Sequence, residues 1–190
     1  SPFLTLMLLK LFVLLLILNT SCLAVEITVV TEDTPPMQFL HVDGSITGFN
    51  IDIVKEILKE ANLEANYIML PWPRAVQHAL NNKNTLILSM IRNQQREDQF
   101  IWITKLNSII SNITILKERN DIKINSIEDL QKYKIAVSRG DFGETYLKSI
   151  GLEPNKHLYL TIKHSNLWKM LFNKRVDAVF SNNITAHSEI

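Results

Sequence analysis

Four arginines, Arg74, Arg92, Arg96 and Arg139, carry the chemistry most open to testing in this chain. Arg96 follows an apolar run at 85–90 after a short polar turn, Arg92-Asn93-Gln94-Gln95. A guanidinium just beyond a strand can grip a carboxylate through a two-pronged fork that lysine does not reproduce. The alternative for the same residue is a solvated side chain paired with Glu97 or Asp98. A second feature, Arg139-Gly140-Asp141-Phe142-Gly143, reads as a strand-to-helix turn. Backbone N–H groups at such a helix start can receive an anion, and two glycines permit close approach of a ligand. The Gly-Lys-Ser/Thr ending of a P-loop is absent, and glycine in this kind of turn also has a purely local use. Trp72 and Phe142 offer apolar walls for a ligand, or simply packing surface. Glu32 and Asp33 follow the first β-branched run, where they either face a cleft or sit in a solvated turn.

Catalysis has little footing. His41, His78, His157, His164 and His187 show no metal-ligand spacing with carboxylates, and no Gly-x-Ser-x-Gly elbow is present. No metal, no cofactor and no enzymatic activity are therefore expected. A formal net charge of +1 over 190 residues gives no electrostatic ground for binding nucleic acid. What remains is capture of a small polar molecule.

The elements that must position these residues alternate. Residues 26–31 are a β-branched run suited to a buried strand, and Val42-Asp43-Gly44-Ser45 reads as a hairpin turn. Ile53, Val54, Ile57, Leu58 and Ala61 recur at helical spacing, which predicts a helix over 50–62. A strand at 65–70, a proline-opened helix from Pro71-Trp72-Pro73 to about Leu80, and a buried strand at 85–90 follow. Later, Ser126-Ile127-Glu128-Asp129 resembles a capping box for a short helix through Lys132. Strands at 134–138, 157–162 and 176–180 then alternate with helices at 141–149, ended by Gly151, and 166–173. Alternating β and α units imply an α/β protein with a mainly parallel sheet covered on both faces. The extended stretch 109–117 and the polar Glu118-Arg119-Asn120-Asp121 read as a hinge between lobes at 25–112 and 113–190. Residues 182–190 begin a further helix with no closing strand after it, so the second lobe is expected to be incomplete.

Ahead of these lobes, Lys10, the apolar run 11–18 and the small residues up to Ala24 describe a secretory signal peptide over 1–24. An uncleaved anchor is the competing reading, against which Lys10 interrupts the stretch. Lipidation of Cys22, the single cysteine, is disfavoured because Asn19 stands where a lipoprotein signal has an aliphatic residue. Periplasmic location is the expectation.

Several segments, in order, resemble bacterial family 3 extracellular solute-binding proteins, the amino-acid receptors of ABC importers. They are Pro35-Pro36-Met37, Gly44, Gly48-Phe49-Asn50-Ile51-Asp52-Ile53, Arg92 to Phe100, Ile127-Glu128-Asp129-Leu130 and Lys174-Arg175-Val176-Asp177-Ala178-Val179. The resemblance implies a two-lobed Venus-flytrap fold with its ligand cleft at the hinge. It implies that Arg96, with Arg92 beside it, takes a ligand carboxylate, and that the backbone of Ser89, Met90 and Ile91 adds contacts. Gly140, Asp141, Phe142 and Gly143 would close from the second lobe. Two positions depart from that pattern. Asn93 replaces a usual threonine, and Asn182 stands where an acid usually meets the ligand's α-ammonium; Glu32 or Asp33 would have to compensate. Trp72-x-Arg74 marks a divergent subgroup. The implied function is a monomeric receptor that hands a small carboxylate-bearing ligand to an ABC permease. A sensor lobe ahead of a membrane-anchored signalling domain is the alternative, and a dehydratase or lytic-transglycosylase-associated lobe a third.

Overall fold

The computed structural model describes residues 26–189, so the expected signal peptide and Cys22 lie outside it. The first strand, β1 (Ile27–Thr31), pairs in parallel with β4 (Ala65–Met69) on one side and β5 (Thr85–Ile87) on the other. Successive strand residues point to opposite faces, so Val29 and Val30 must each be covered separately. Val29 is buried against Ile51, Val54 and Leu58 of α1 (Phe49–Glu60). Val30 packs with Trp72 and Ala75 of α2 (Trp72–Asn81) on the other face. Between β1 and α1 lies a hairpin of β2 (Phe39–Leu40) and β3 (Ile46–Thr47), its turn held by Asp43, which accepts from the N–H and hydroxyl of Ser45.

The second sheet runs β6 (Ser111–Thr114), β9 (Ala178–Asn182), β7 (Ile135–Ser138), β8 (Leu158–Thr161). Its parallel core obeys the same two-faced logic. Ile135 and Val137 meet Leu147 of α3 (Phe142–Ser149), while Ala136 meets Leu167, Trp168 and Leu171 of α4 (His164–Phe172). The edge strand β6 is antiparallel to β9, and α5 (Asn183–Glu189) follows β9 directly. Three helices stop in the same way. After α1, α3 and α4, a residue at positive φ (Asn62, Gly151, Lys174) turns the chain, and the next N–H returns to a carbonyl of the last turn.

Two expectations need correction. The strand expected over 85–90 ends at Ile87, because Ser89 at φ 64 swings the backbone out of the sheet. Residues 128–132 form a 3-10 turn rather than a capped α-helix, and the capping runs backwards: the Asp129 carboxylate accepts from the N–H groups of Asn125 and Ser126. The chain passes from the first sheet to the second along the strand-free stretch 100–110. The polar turn Glu118-Arg119-Asn120-Asp121 is fastened to the second sheet. There Arg119 pairs with Asp121 at 2.8 Å and Asp177 at 2.9 Å, and Asp177 also accepts from the Lys134 N–H.

Gly48 fixes how the hairpin enters α1. At φ 123 it lies against the Met37 carbonyl, where a Cβ would come within 2.4 Å of the oxygen, and the Asn50 N–H donates to that same carbonyl. Gly48→Ala is expected to cost about 1–3 kcal/mol of stability, read from the midpoint of urea unfolding.

Candidate functional site

A cleft of about 790 Å³ lies between the sheets. Its lining includes residues at or beyond strand C-terminal ends, Glu32 and Thr34 after β1, Ser89 and Met90 after β5, Ser138 and Asp141 at β7 and His164 after β8, together with the edge strand β5 and the connecting segment 99–109. This is where open parallel sheets place ligands, because side chains and free backbone groups converge there. Of the residues singled out from sequence, the structure brings Glu32, Trp72, Ser89, Met90, Ile91, Arg92, Asp141, Phe142 and Asn182 to the cleft. Arg96, Gly140 and Gly143 are not among its lining residues, but Arg96 lies beside it, bonded to the Ile91 carbonyl and over the Trp72 ring.

Arg96 joins the lobes. One amino nitrogen of its guanidinium donates to the Ile91 carbonyl and the other to the Gly140 carbonyl across the gap, each at 3.2 Å. The guanidinium carbon sits 5.5 Å from the centre of the Trp72 ring, a cation–π contact, and Trp72 Nε1 donates to the same Gly140 carbonyl at 3.1 Å. Burial pulls the Arg96 pKa below its ordinary value, and the negative charge of Asp141 partly offsets this. Among the described residues no carboxylate lies within ion-pairing distance of Arg96. The acid expected as its competitor, Glu97, is held by Arg92, whose Nε donates at 2.8 Å while the guanidinium packs over Trp102. Arg92 is thus exposed and already paired. Asn93 holds the turn itself, since its side-chain oxygen accepts from the Arg96 N–H at 3.0 Å.

The anion site expected at the start of α3 is filled by the protein's own carboxylates. Glu144 accepts from the Gly140 N–H at 2.6 Å, and Asp141 caps the helix by accepting from the Phe142 N–H at 2.6 Å. Gly143 serves packing, not ligand approach: a Cβ there would lie 2.5 Å from the Phe180 ring. Phe142 lines the cleft while stacking on Tyr146. Asn182 turns its side-chain oxygen to the Ile184 and Thr185 N–H groups, both at 3.0 Å, so it starts α5 and has no acceptor left for an ammonium.

Sequence reasoning missed a buried polar floor. Ser89 donates to the Gln38 side-chain oxygen at 2.7 Å and accepts from Asn50 Nδ2 at 2.8 Å, and Asn50 Oδ1 accepts from Asn107 at 2.9 Å. Its only signal in the sequence is a polar residue, Asn50, on the apolar face of a predicted helix. Thr34, Ser138 and His164 were also missed. Beside this floor, burial pushes Glu32 from its ordinary 4.5 to about 8, with the charges of Asp141 and Asp33 adding to the effect.

Residues 27–188 match the family described as bacterial extracellular solute-binding proteins, family 3. The histidine-binding periplasmic protein of Escherichia coli (strain K12) is 23% identical over 152 residues. That alignment covers 80% of this chain, and the chain spans 58% of the relative's length. An ancestral arginine-binding protein bound to arginine superposes with a TM-score of 0.76 at 24% identity, covering 86% of this chain and 72% of that one. A histidine kinase sensor domain with similarity to periplasmic binding proteins gives a TM-score of 0.79 at 19% identity, covering 88% and 72%.

The raised Glu32 pKa means that the folded chain keeps a proton between pH 4.5 and about 8 that the unfolded chain releases. Stability therefore falls as pH rises through that window and levels off above it. Glu32→Gln is expected to raise the Tm at pH 7.5 by about 2 °C or more and to leave it unchanged at pH 4.5, measured by calorimetric unfolding.

Proposed function

We propose, for a chain that belongs to the family 3 bacterial extracellular solute-binding proteins, that its cleft captures a small carboxylate-bearing solute, a polar amino acid or a close analogue, for an ABC permease. The observation that carries this reading is Arg96, a partly buried guanidinium with no acid paired to it, placed where the two lobes meet. Two of its five N–H groups go to the Ile91 and Gly140 carbonyls, which leaves three, enough for a bidentate carboxylate contact. Its bond to Gly140 also gives a reason for the lobes to close: a ligand held by Arg96 stabilises the arrangement in which both lobes touch it. Amino-acid ligands named for the relatives, histidine and arginine, agree with this class.

Asn182 does not supply the ammonium contact. Glu32 and Asp141 are the acids on the cleft, from opposite lobes, and either can take that part when a ligand cation favours the ionised carboxylate. A second reading, a ligand-sensing lobe of a signalling protein, is favoured by the close superposition on the kinase sensor domain, and the same cleft would serve it.

Truncating one partner of a buried charge contact costs about 2–5 kcal/mol. Arg96→Ala is accordingly expected to weaken binding of a carboxylate-bearing ligand from roughly thirtyfold to a few thousandfold in titration calorimetry. The ligand's decarboxylated analogue should lose much less affinity, only the share that comes from the Arg96–Gly140 bond between the lobes. Near-wild-type affinity of the variant for the carboxylate would reject the assignment.

A further inference from the structure

Among the described residues, five buried side-chain polar atoms have no hydrogen-bond partner: Thr31 Oγ1, Thr34 Oγ1, Ser138 Oγ, His164 Nδ1 and Trp168 Nε1. Three of the five, on Thr34, Ser138 and His164, belong to residues lining the cleft. Folded proteins pair nearly all such atoms, because a bare buried donor or acceptor has lost water and gained nothing. Unpaired polar atoms on both sides of one cleft are groups that another molecule can complete.

The placement is specific. Ser138 ends β7 and stands in register with Thr161 at the end of β8. His164 opens α4 three residues further on, and the Thr161 hydroxyl is already engaged with the Lys163 carbonyl. Ser138 and His164 therefore sit at neighbouring strand ends of the second lobe, exposed by 5% and 8%, with Thr34 contributed by the first lobe at 5%. Burial holds the His164 imidazole near pKa 4, so at neutral pH the ring is uncharged and offers one donor and one acceptor. Serine and threonine hydroxyls offer both as well. These groups suit an uncharged partner.

We infer that Ser138 and His164, with Thr34, form a polar subsite for an uncharged hydrogen-bonding group (a carboxamide, imidazole or hydroxyl) at the end of the ligand away from its carboxylate. The assignment rests on the reading of the cleft as a solute site and refines its specificity. An apolar side chain of the same size would leave the three atoms bare, which is the kind of mismatch that sites reject strongly.

The test uses two matched pairs of probes on the full-length mature protein: L-asparagine against L-leucine, and L-glutamine against L-methionine. Titration calorimetry should show the amide member binding at least about tenfold tighter in one or both pairs. Ser138→Ala and His164→Phe should each reduce that preference to within about threefold. Neither should lower the unliganded Tm, because each removes a bare polar atom and not a bond. Equal binding of the apolar partners, survival of the preference in both variants, or no binding of any amide probe overturns the subsite. The decarboxylated amides 3-aminopropanamide and 4-aminobutanamide separate it from the Arg96 reading. If they bind as tightly as their parents and the two variants still lose them, the subsite stands and the carboxylate contact falls. If Arg96→Ala weakens amino-acid binding with no amide preference to lose, the reverse holds.

Discussion

Two amides buried under the first lobe, Gln38 and Asn50, must find hydrogen-bond partners where water does not reach, and meeting that requirement shapes the cleft. Each comes from a different segment. Gln38 lies in the loop after β1, and Asn50 in the first turn of α1; Ser89, bonded to both, lies in the loop after β5. Asn107 extends the chain of bonds to the segment that leads into the second lobe. The backbone turn at Ser89 follows from the same demand, since its hydroxyl must face inward while the chain leaves the sheet. With that floor fixed, Met90, Ile91 and the Arg92–Arg96 turn are carried to the rim, and Arg96 is delivered to the second lobe. A cooperative polar network of this kind favours one arrangement strongly, because loss of any member strands the others.

The electrostatics of the cleft are divided between its two sides. The first lobe brings a guanidinium, and both lobes bring carboxyls whose ionised forms are disfavoured by burial, Glu32 from the first and Asp141 from the second. Asp141 also caps α3 and lowers the cost of the nearby Arg96 charge, so it belongs to the helix, the loop and the ion balance together. The start of α3 is closed to an outside anion by Asp141 and Glu144, which leaves Arg96 as the cationic group beside the lobe contact without a protein acid paired to it. The polar groups further along the second lobe are neutral, in keeping with a wall that sorts ligands by hydrogen bonding more than by charge.

Much of the fold was legible in the sequence because its signals are local and strong. The β-branched run of β1, the helical spacing of Ile53, Val54, Ile57, Leu58 and Ala61, and the proline-opened α2 each place an element within a few residues of its observed bounds, although the buried face of α1 is Ile51, Val54 and Leu58, with Ile53, Ile57 and Ala61 exposed. The site was legible only in part. The strand-end rule pointed to Glu32 and Asp141, which line the cleft, and to Arg96 beside it, but the destination of each side chain depended on which neighbour reached it first. Arg92 took Glu97 and so freed Arg96; the Asn182 side-chain oxygen took the start of α5; Glu144, four residues downstream, took the Gly140 N–H. Such competitions are settled by distances of about an ångström between groups far apart in the chain. Gln38, Thr34, Ser138 and His164 gave no sequence signal, since a single polar residue in an apolar stretch looks the same whether its partner is the protein or a ligand.

The carbonyl of Gly140 receives both first-lobe donors, Trp72 and Arg96, and a backbone oxygen cannot be altered by exchanging a side chain. Residue 140 is itself confined, at φ 74 and with Pro73 at 3.4 Å from where a Cβ would lie. At this contact, genetic variation can therefore strengthen or loosen the clasp only from the first lobe's side. The second lobe presents a fixed catch, and Trp72 and Arg96 are the two adjustable tongues. Drift in the strength of this one contact would be written at positions 72 and 96, while 140 stayed silent.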